Sequence, residues 1–295
     1  MTYDETIIRN PQAPSAPARP AAAPQPAAAT DPAPVPGILV SSTIAAIVGA
    51  LAMVLLHEIV HLIVGTAQGA PGRLYPFAFM AHEPLEGAPL AIEALSAPLF
   101  SLVTGAIAAA WQPLRRQGGF WHLVWVWFAF TSILEGVGYL VITPFGAGDT
   151  ATAMAALGLP DWLGFLAMAI GIGGMLLAAR AFAPVVQRAV GYGDKPRSWA
   201  LAFWPWLIAT VATVLLFALW SAISDAELTI GEQIAVWAAP TVLYLAGPMS
   251  FMFAKQVRGL PVEGLRVATF PVSGMIALAV LLLIDFVLVG GPAIG

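Results

Sequence analysis

Seven apolar runs, near residues 38–66, 92–111, 120–143, 161–182, 199–222, 234–254 and 268–290, govern what this chain can become. Each approaches the roughly 20 residues that a helix needs to cross a bilayer. Lipid offers no water to backbone polar groups, so such runs must close their hydrogen bonds internally, as helices. A transmembrane β-barrel requires apolar and polar residues to alternate, and residues 44–56 show no alternation. Composition points the same way. With 59% of the chain hydrophobic and 9% charged, too little polar surface remains to clothe a soluble globule. The expected fold is all-α, a polytopic transmembrane helix bundle of about seven spans. The expected address is multi-pass, in a bacterial-type inner membrane, with the lipid bilayer as a partner.

Residues 1–37 are rich in Pro and Ala and read as a solvated, disordered tail. Residues 38–155 carry the motifs described below, and residues 156–295 add further transmembrane helices. The cations orient the whole. If the tail and every second loop share one side, that side holds eleven of the twelve Lys and Arg residues. The other side keeps Arg73 with Glu83, Glu86, Asp225, Glu227 and Glu232. The positive-inside rule then predicts a cytoplasmic N-terminus. A net charge of −4 argues against nucleic acid as a partner. The absence of cysteine excludes disulfides, thiolate nucleophiles and thiolate metal sites.

The first run ends Leu55-Leu56-His57-Glu58-Ile59-Val60-His61-Leu62. Residues four apart lie about 40° apart around a helix, so both imidazoles leave one face and can hold one ion. Glu58 stands beside them, where a carboxylate can take a proton from a water polarised by that ion. Three ionisable residues in five positions of a membrane span are costly, which favours a metal site over chance packing. A catalytic zinc takes three protein ligands and keeps one position open, so a third ligand must come from elsewhere. Asp149 is the first candidate. It lies in Pro144-Phe145-Gly146-Ala147-Gly148-Asp149-Thr150, on the same side as His61, where glycines let the backbone bend inward. Glu135, inside the third run, is the second candidate, as a ligand or as polar lining that orients a histidine. Asp285, in the last run, can approach the same cavity or lie at the interface. His82 and His122 stand alone near membrane edges and read as polar surface residues.

Three segments resemble, in order, those of the site-2-protease-like intramembrane zinc metalloproteases. His57-Glu58-Ile59-Val60-His61 is similar to that family's metal helix. Ser96-Ala97-Pro98-Leu99-Phe100-Ser101 looks like its next helix start, with Ala97 and Ser101 in place of the usual glycine and asparagine. Pro144 through Asp149 is similar to its Pro-to-Asp segment, with Gly148 and Thr150 where Leu and Gly are usual. The resemblance covers about residues 38–155. It implies His57, His61 and Asp149 as zinc ligands, Glu58 as the catalytic base, and a peptide or transmembrane protein as substrate. Family members carry a membrane-associated β element between the first two spans, so residues 71–91 are expected to offer a strand to extended substrate. One feature departs from the family: the cation count sets the site toward the outer face, whereas the family typically sets it near the cytosol. The competing expectation is a non-catalytic scaffold, or a transporter of small solutes or metal, using Glu135 and Asp285 inside the membrane.

Overall fold

The computed structural model describes residues 33–294, so most of the expected tail, residues 1–37, lies outside the described residues. Helix α1 runs Val35–Ala67, three residues ahead of the expected start. Pro34 and Pro36 suit that first turn, where backbone N–H groups have no helical partner to lose. A hairpin follows, β1 (Gly72–Tyr75) and β2 (Ala78–Ala81). Then come α2 (Gly87–Ala110) and α3 (Phe120–Ile142), the latter extended by a 3-10 turn to Phe145. A short α4 (Asp149–Ala156) precedes α5 (Trp162–Val190). The chain ends with α6 (Lys195–Ile223), α7 (Ala235–Val257), α8 (Val272–Leu288) and β3 (Ala293–Ile294). The small sheet has the antiparallel order β2-β1-β3.

Among the described residues, six helices, α1, α2, α3, α5, α6 and α7, are long and apolar enough to cross a membrane. The seventh expected run, 268–290, forms α8, an apolar helix of only 17 residues. Two of the six are not regular. Helix α7 is broken into short pieces around Pro240 and Pro248, since a proline removes one helical donor and its ring crowds the preceding turn. Helix α6 passes through a π-helical stretch, Trp199–Phe203, just before Pro205. Pro205 cannot donate to the Leu201 carbonyl four residues back. Ser42 Oγ on α1 donates to that carbonyl instead, at 2.7 Å.

Ser42 in turn accepts from Trp127 Nε1 of α3 at 2.9 Å, which ties three helices through one hydroxyl. Trp127 is 1% exposed and meets Phe182 of α5 and Tyr244 of α7, with ring centroids 5.3 and 6.1 Å away. Residues from both halves of the chain therefore share one core. Close approach of the first three helices depends on missing side chains. A Cβ on Gly49 of α1 would stand 2.7 Å from the Phe128 nitrogen of α3. A Cβ on Gly105 of α2 would stand 2.7 Å from the Ala129 oxygen of α3. Small residues at such contacts let van der Waals packing do what the hydrophobic effect cannot do within lipid.

The loops are tied in two groups. Between α1 and α2, Arg73 and Tyr75 both donate to Asp225, which follows α6. Those bonds hold the Asp225 carboxyl below its usual range. Between α2 and α3, Arg115 donates to Glu263, which precedes α8, and holds that carboxyl low in the same way. Backbone bonds join the second group: Glu263 N–H donates to the Arg188 carbonyl at 2.7 Å and Arg266 N–H to that of Gly118 at 2.8 Å.

Replacing Ser42 with Ala strands both the Leu201 carbonyl and the Trp127 indole N–H in a buried position. The expected cost is about 1–3 kcal/mol, read as a lower melting temperature of the protein in detergent. A Ser42→Ala protein that melts with the wild type would show the network to be idle.

Candidate metal centre

Histidines 57 and 61 fall on the buried face of α1, one turn apart, at 1% and 6% exposure. Their Nε2 atoms approach to 3.1 Å. Asp149 opens α4 and brings Oδ2 to 3.2 Å from each of them. Three lone-pair atoms therefore form a near-equilateral triangle. Such a triangle is repulsive unless a proton or a cation lies among them. Ligand atoms about 2.0–2.1 Å from one zinc in a tetrahedron stand about 3.3–3.4 Å apart. The observed sides are within a few tenths of an ångström of that, and no fourth ligand from the described residues joins the group. The donor set of two imidazoles and a carboxylate is the kind that zinc takes in catalytic sites.

The backbone explains how Asp149 arrives. Gly146 (φ 70°) ends the 3-10 turn after α3, and Gly148 (φ 77°) is the residue before α4. Positive φ at both is cheap only for glycine. Gly148 also leaves no room for a side chain, since a Cβ there would lie 2.4 Å from the Tyr139 ring. The chain thus leaves α3, turns sharply over Tyr139, and points the aspartate back at α1. Burial would raise the Asp149 carboxyl, but the two imidazoles outweigh burial and hold it well below the usual carboxylate range.

Each imidazole is also held from behind. His57 Nδ1 lies 3.3 Å from Ser101 Oγ of α2, and its ring stacks on Tyr139 at 5.6 Å between centroids. His61 Nδ1 lies 2.8 Å from Glu93 Oε1, also of α2. Glu58 is buried beside the pair, close enough to feel the charges of His57, His61, Asp149 and Glu135. Glu135 Oε1 comes to 4.0 Å from His57, on the Nδ1 side, behind the ring rather than at the triangle.

Of the residues expected from the sequence, His57, His61 and Asp149 form one group with the spacing a metal requires. Asp285 does not join it. That carboxylate is 2% exposed on α8 and its Oδ2 has no hydrogen-bond partner among the described residues. His82 is exposed at the end of the hairpin. His122, expected at the surface, is buried in a small cavity with Arg115, Arg188 and Glu263. Its burial at the start of α3 follows from how the α2–α3 loop meets Arg188 and Glu263, which an isolated histidine in a sequence does not reveal.

Two contributors escaped the sequence reading. Glu93 is a carboxylate inside an apolar run, the same signal that singled out Glu135, and its partner His61 lies on another helix. Tyr139 carried no signal beyond its place one turn after Glu135. No known protein family, no curated protein and no solved structure matches the chain.

Asp149→Ala removes one corner of the triangle. Its zinc affinity, measured by chelator competition, is expected to fall by more than the roughly 10–100-fold typical of losing an outer partner. Gly148→Ala, with every ligand intact, is expected to weaken zinc as well, because φ of 77° and the Tyr139 ring both resist a methyl group. Wild-type affinity in Gly148→Ala would show that the turn does not position Asp149.

Proposed function

We propose that the chain is an intramembrane zinc metalloprotease, a divergent relative of the site-2-protease-like family, that hydrolyses peptide bonds of membrane-associated or transmembrane substrates. The observation that carries this reading is the triangle of His57, His61 and Asp149 beside Glu58 in a bundle of apolar helices. Zinc, when bound there, supplies a Lewis acid with one position open to substrate or water. The protein's own groups do the rest. Glu58 accepts a proton on its carboxylate from the attacking water and returns it to the leaving amine nitrogen. Glu135 and Tyr139 keep the back of His57 polar, and the close packing of α1, α2 and α3 keeps lipid from the site.

Substrate must be extended at the cleaved bond, since a helix shields its own carbonyls. Strand β2 is an edge of the small sheet, and an edge strand can pair with such a segment. The hairpin adjoins the site, with the Phe79 ring packed over Gly65, one turn beyond His61.

In this reading α8 is the seventh crossing. The segment before it bonds to the α2–α3 loop, and β3 after it pairs with β1. With the cation-rich loops in the cytoplasm, the N-terminus is cytoplasmic and the metal centre lies toward the opposite face of a bacterial-type inner membrane. One observation favours a second reading, a transporter of small solutes or metal. Asp285 is a buried carboxylate on an apolar helix, its Oδ2 without a partner among the described residues, for which peptide hydrolysis has no use.

Purified Glu58→Gln is expected to keep zinc and to lose cleavage of unfolded or transmembrane peptides by on the order of 100-fold or more. Cleavage by Glu58→Gln at the wild-type rate would remove the proposed base. Zinc-independent cleavage would remove the metalloprotease reading itself. Solute flux into liposomes that is lost in His57→Ala, without any cleavage by the wild type, would favour the transporter.

A further inference from the structure

We propose that Glu93 is the positioning residue of the metal centre, holding His61 in the one tautomer whose Nε2 lone pair faces Asp149 and His57. The inference rests on the zinc-site reading above and extends it to a residue on a different helix. Glu93 Oε1 and His61 Nδ1 are 2.8 Å apart, with the two side chains 14% and 8% exposed, so little solvent competes for the contact. An ionised carboxylate only accepts hydrogen bonds. A neutral imidazole facing it must carry its proton on Nδ1, which leaves Nε2 bare. That bare nitrogen is the one at the triangle, 3.2 Å from Asp149 Oδ2.

The other histidine is held differently. Its Nδ1 meets a serine hydroxyl at 3.3 Å, and a hydroxyl can either donate or accept. Ser101 therefore orients the His57 ring without dictating where its proton sits. Glu135, on that same side, stays at 4.0 Å. Tautomer control is thus concentrated on His61. A carboxylate behind an imidazole also makes the far nitrogen a stronger donor to a metal. Ser96 Oγ, one turn on, donates to the Glu93 backbone carbonyl at 2.7 Å.

The test compares zinc affinity, by chelator competition on the full-length protein in detergent, for wild type, Glu93→Met and Glu93→Gln. Glu93→Met keeps the volume and drops the acceptor. It is expected to bind zinc on the order of 10–100-fold more weakly. Glu93→Gln keeps an acceptor oxygen and is expected to recover most of that loss. Glu83→Gln, an exposed acid on the hairpin side, should bind as wild type does. Wild-type affinity in Glu93→Met would overturn the proposal. So would Glu93→Gln as weak as Glu93→Met, since a mere packing or charge effect would then suffice.

Nitrogen NMR of the zinc-loaded wild type needs no variant: it should find His61 bound through Nε2 with its proton on Nδ1, and a His61 bound through Nδ1 instead would overturn the proposal. Wild type that binds zinc but cuts no peptide would sink the protease reading and leave the role of Glu93 standing. Full affinity in Glu93→Met alongside zinc-dependent cleavage by wild type would do the reverse.

Discussion

An ionisable group within the hydrocarbon layer finds no water to answer it, so it is costly unless another part of the protein does. Around the metal centre the fold answers two such groups directly, His57 and His61 on α1. Asp149 meets both imidazoles on one side, and Ser101 and Glu93 meet them on the other. The group is thus assembled from different elements. Helix α1 offers the imidazoles, the turn after α3 offers the acid, and α2 offers the supports. Moving any one of these helices by an ångström would open the triangle, which is why their packing matters to the chemistry.

That packing is secured by omission. Gly49 and Gly105 let α3 come within contact distance of α1 and α2, where any side chain would meet backbone at 2.7 Å. Gly148 does the same for the loop that delivers Asp149. Larger residues fill the space farther from the site, where Trp127 joins α3 to α5 and α7. The division has a physical logic. Backbones brought close by glycine have few ways to shift, and rigid neighbours hold ligand atoms at a spacing that flexible side chains would blur.

What could be read from the sequence followed from how local the signal was. The pairing of His57 with His61 needs only the helical repeat, and the crossing helices need only length and apolarity. Asp149 stood out by its Gly-rich bend and its side of the membrane, and the resemblance pointed to it as well, but nothing local says that the bend reaches a helix some ninety residues earlier. Glu93 needed knowledge of how α1 faces α2, which no single run contains. Hydropathy also overstated regularity. It presented 234–254 as one span, yet Pro240 and Pro248 divide it, and it gave 268–290 a length that the helix Val272–Leu288 does not reach. Asp285 shows the same limit from the other direction. Its cost in a membrane was legible, but its distance from the metal group depends on where α8 docks.

The loop ties bear on how α8 can be so short and still join the two loop groups. A helix of 17 residues is about 26 Å long at 1.5 Å per residue, slightly less than a typical hydrocarbon core of about 30 Å. The segment before it is bonded to Gly118, and the strand after it is paired with β1. Each end is therefore carried by other loops rather than left to find the interface alone. β3 also completes the sheet on the side of β1 away from β2, which leaves β2 as the outer strand. The last helix of the chain, though it contributes nothing to the triangle, thereby fixes which strand beside the metal centre keeps a free edge.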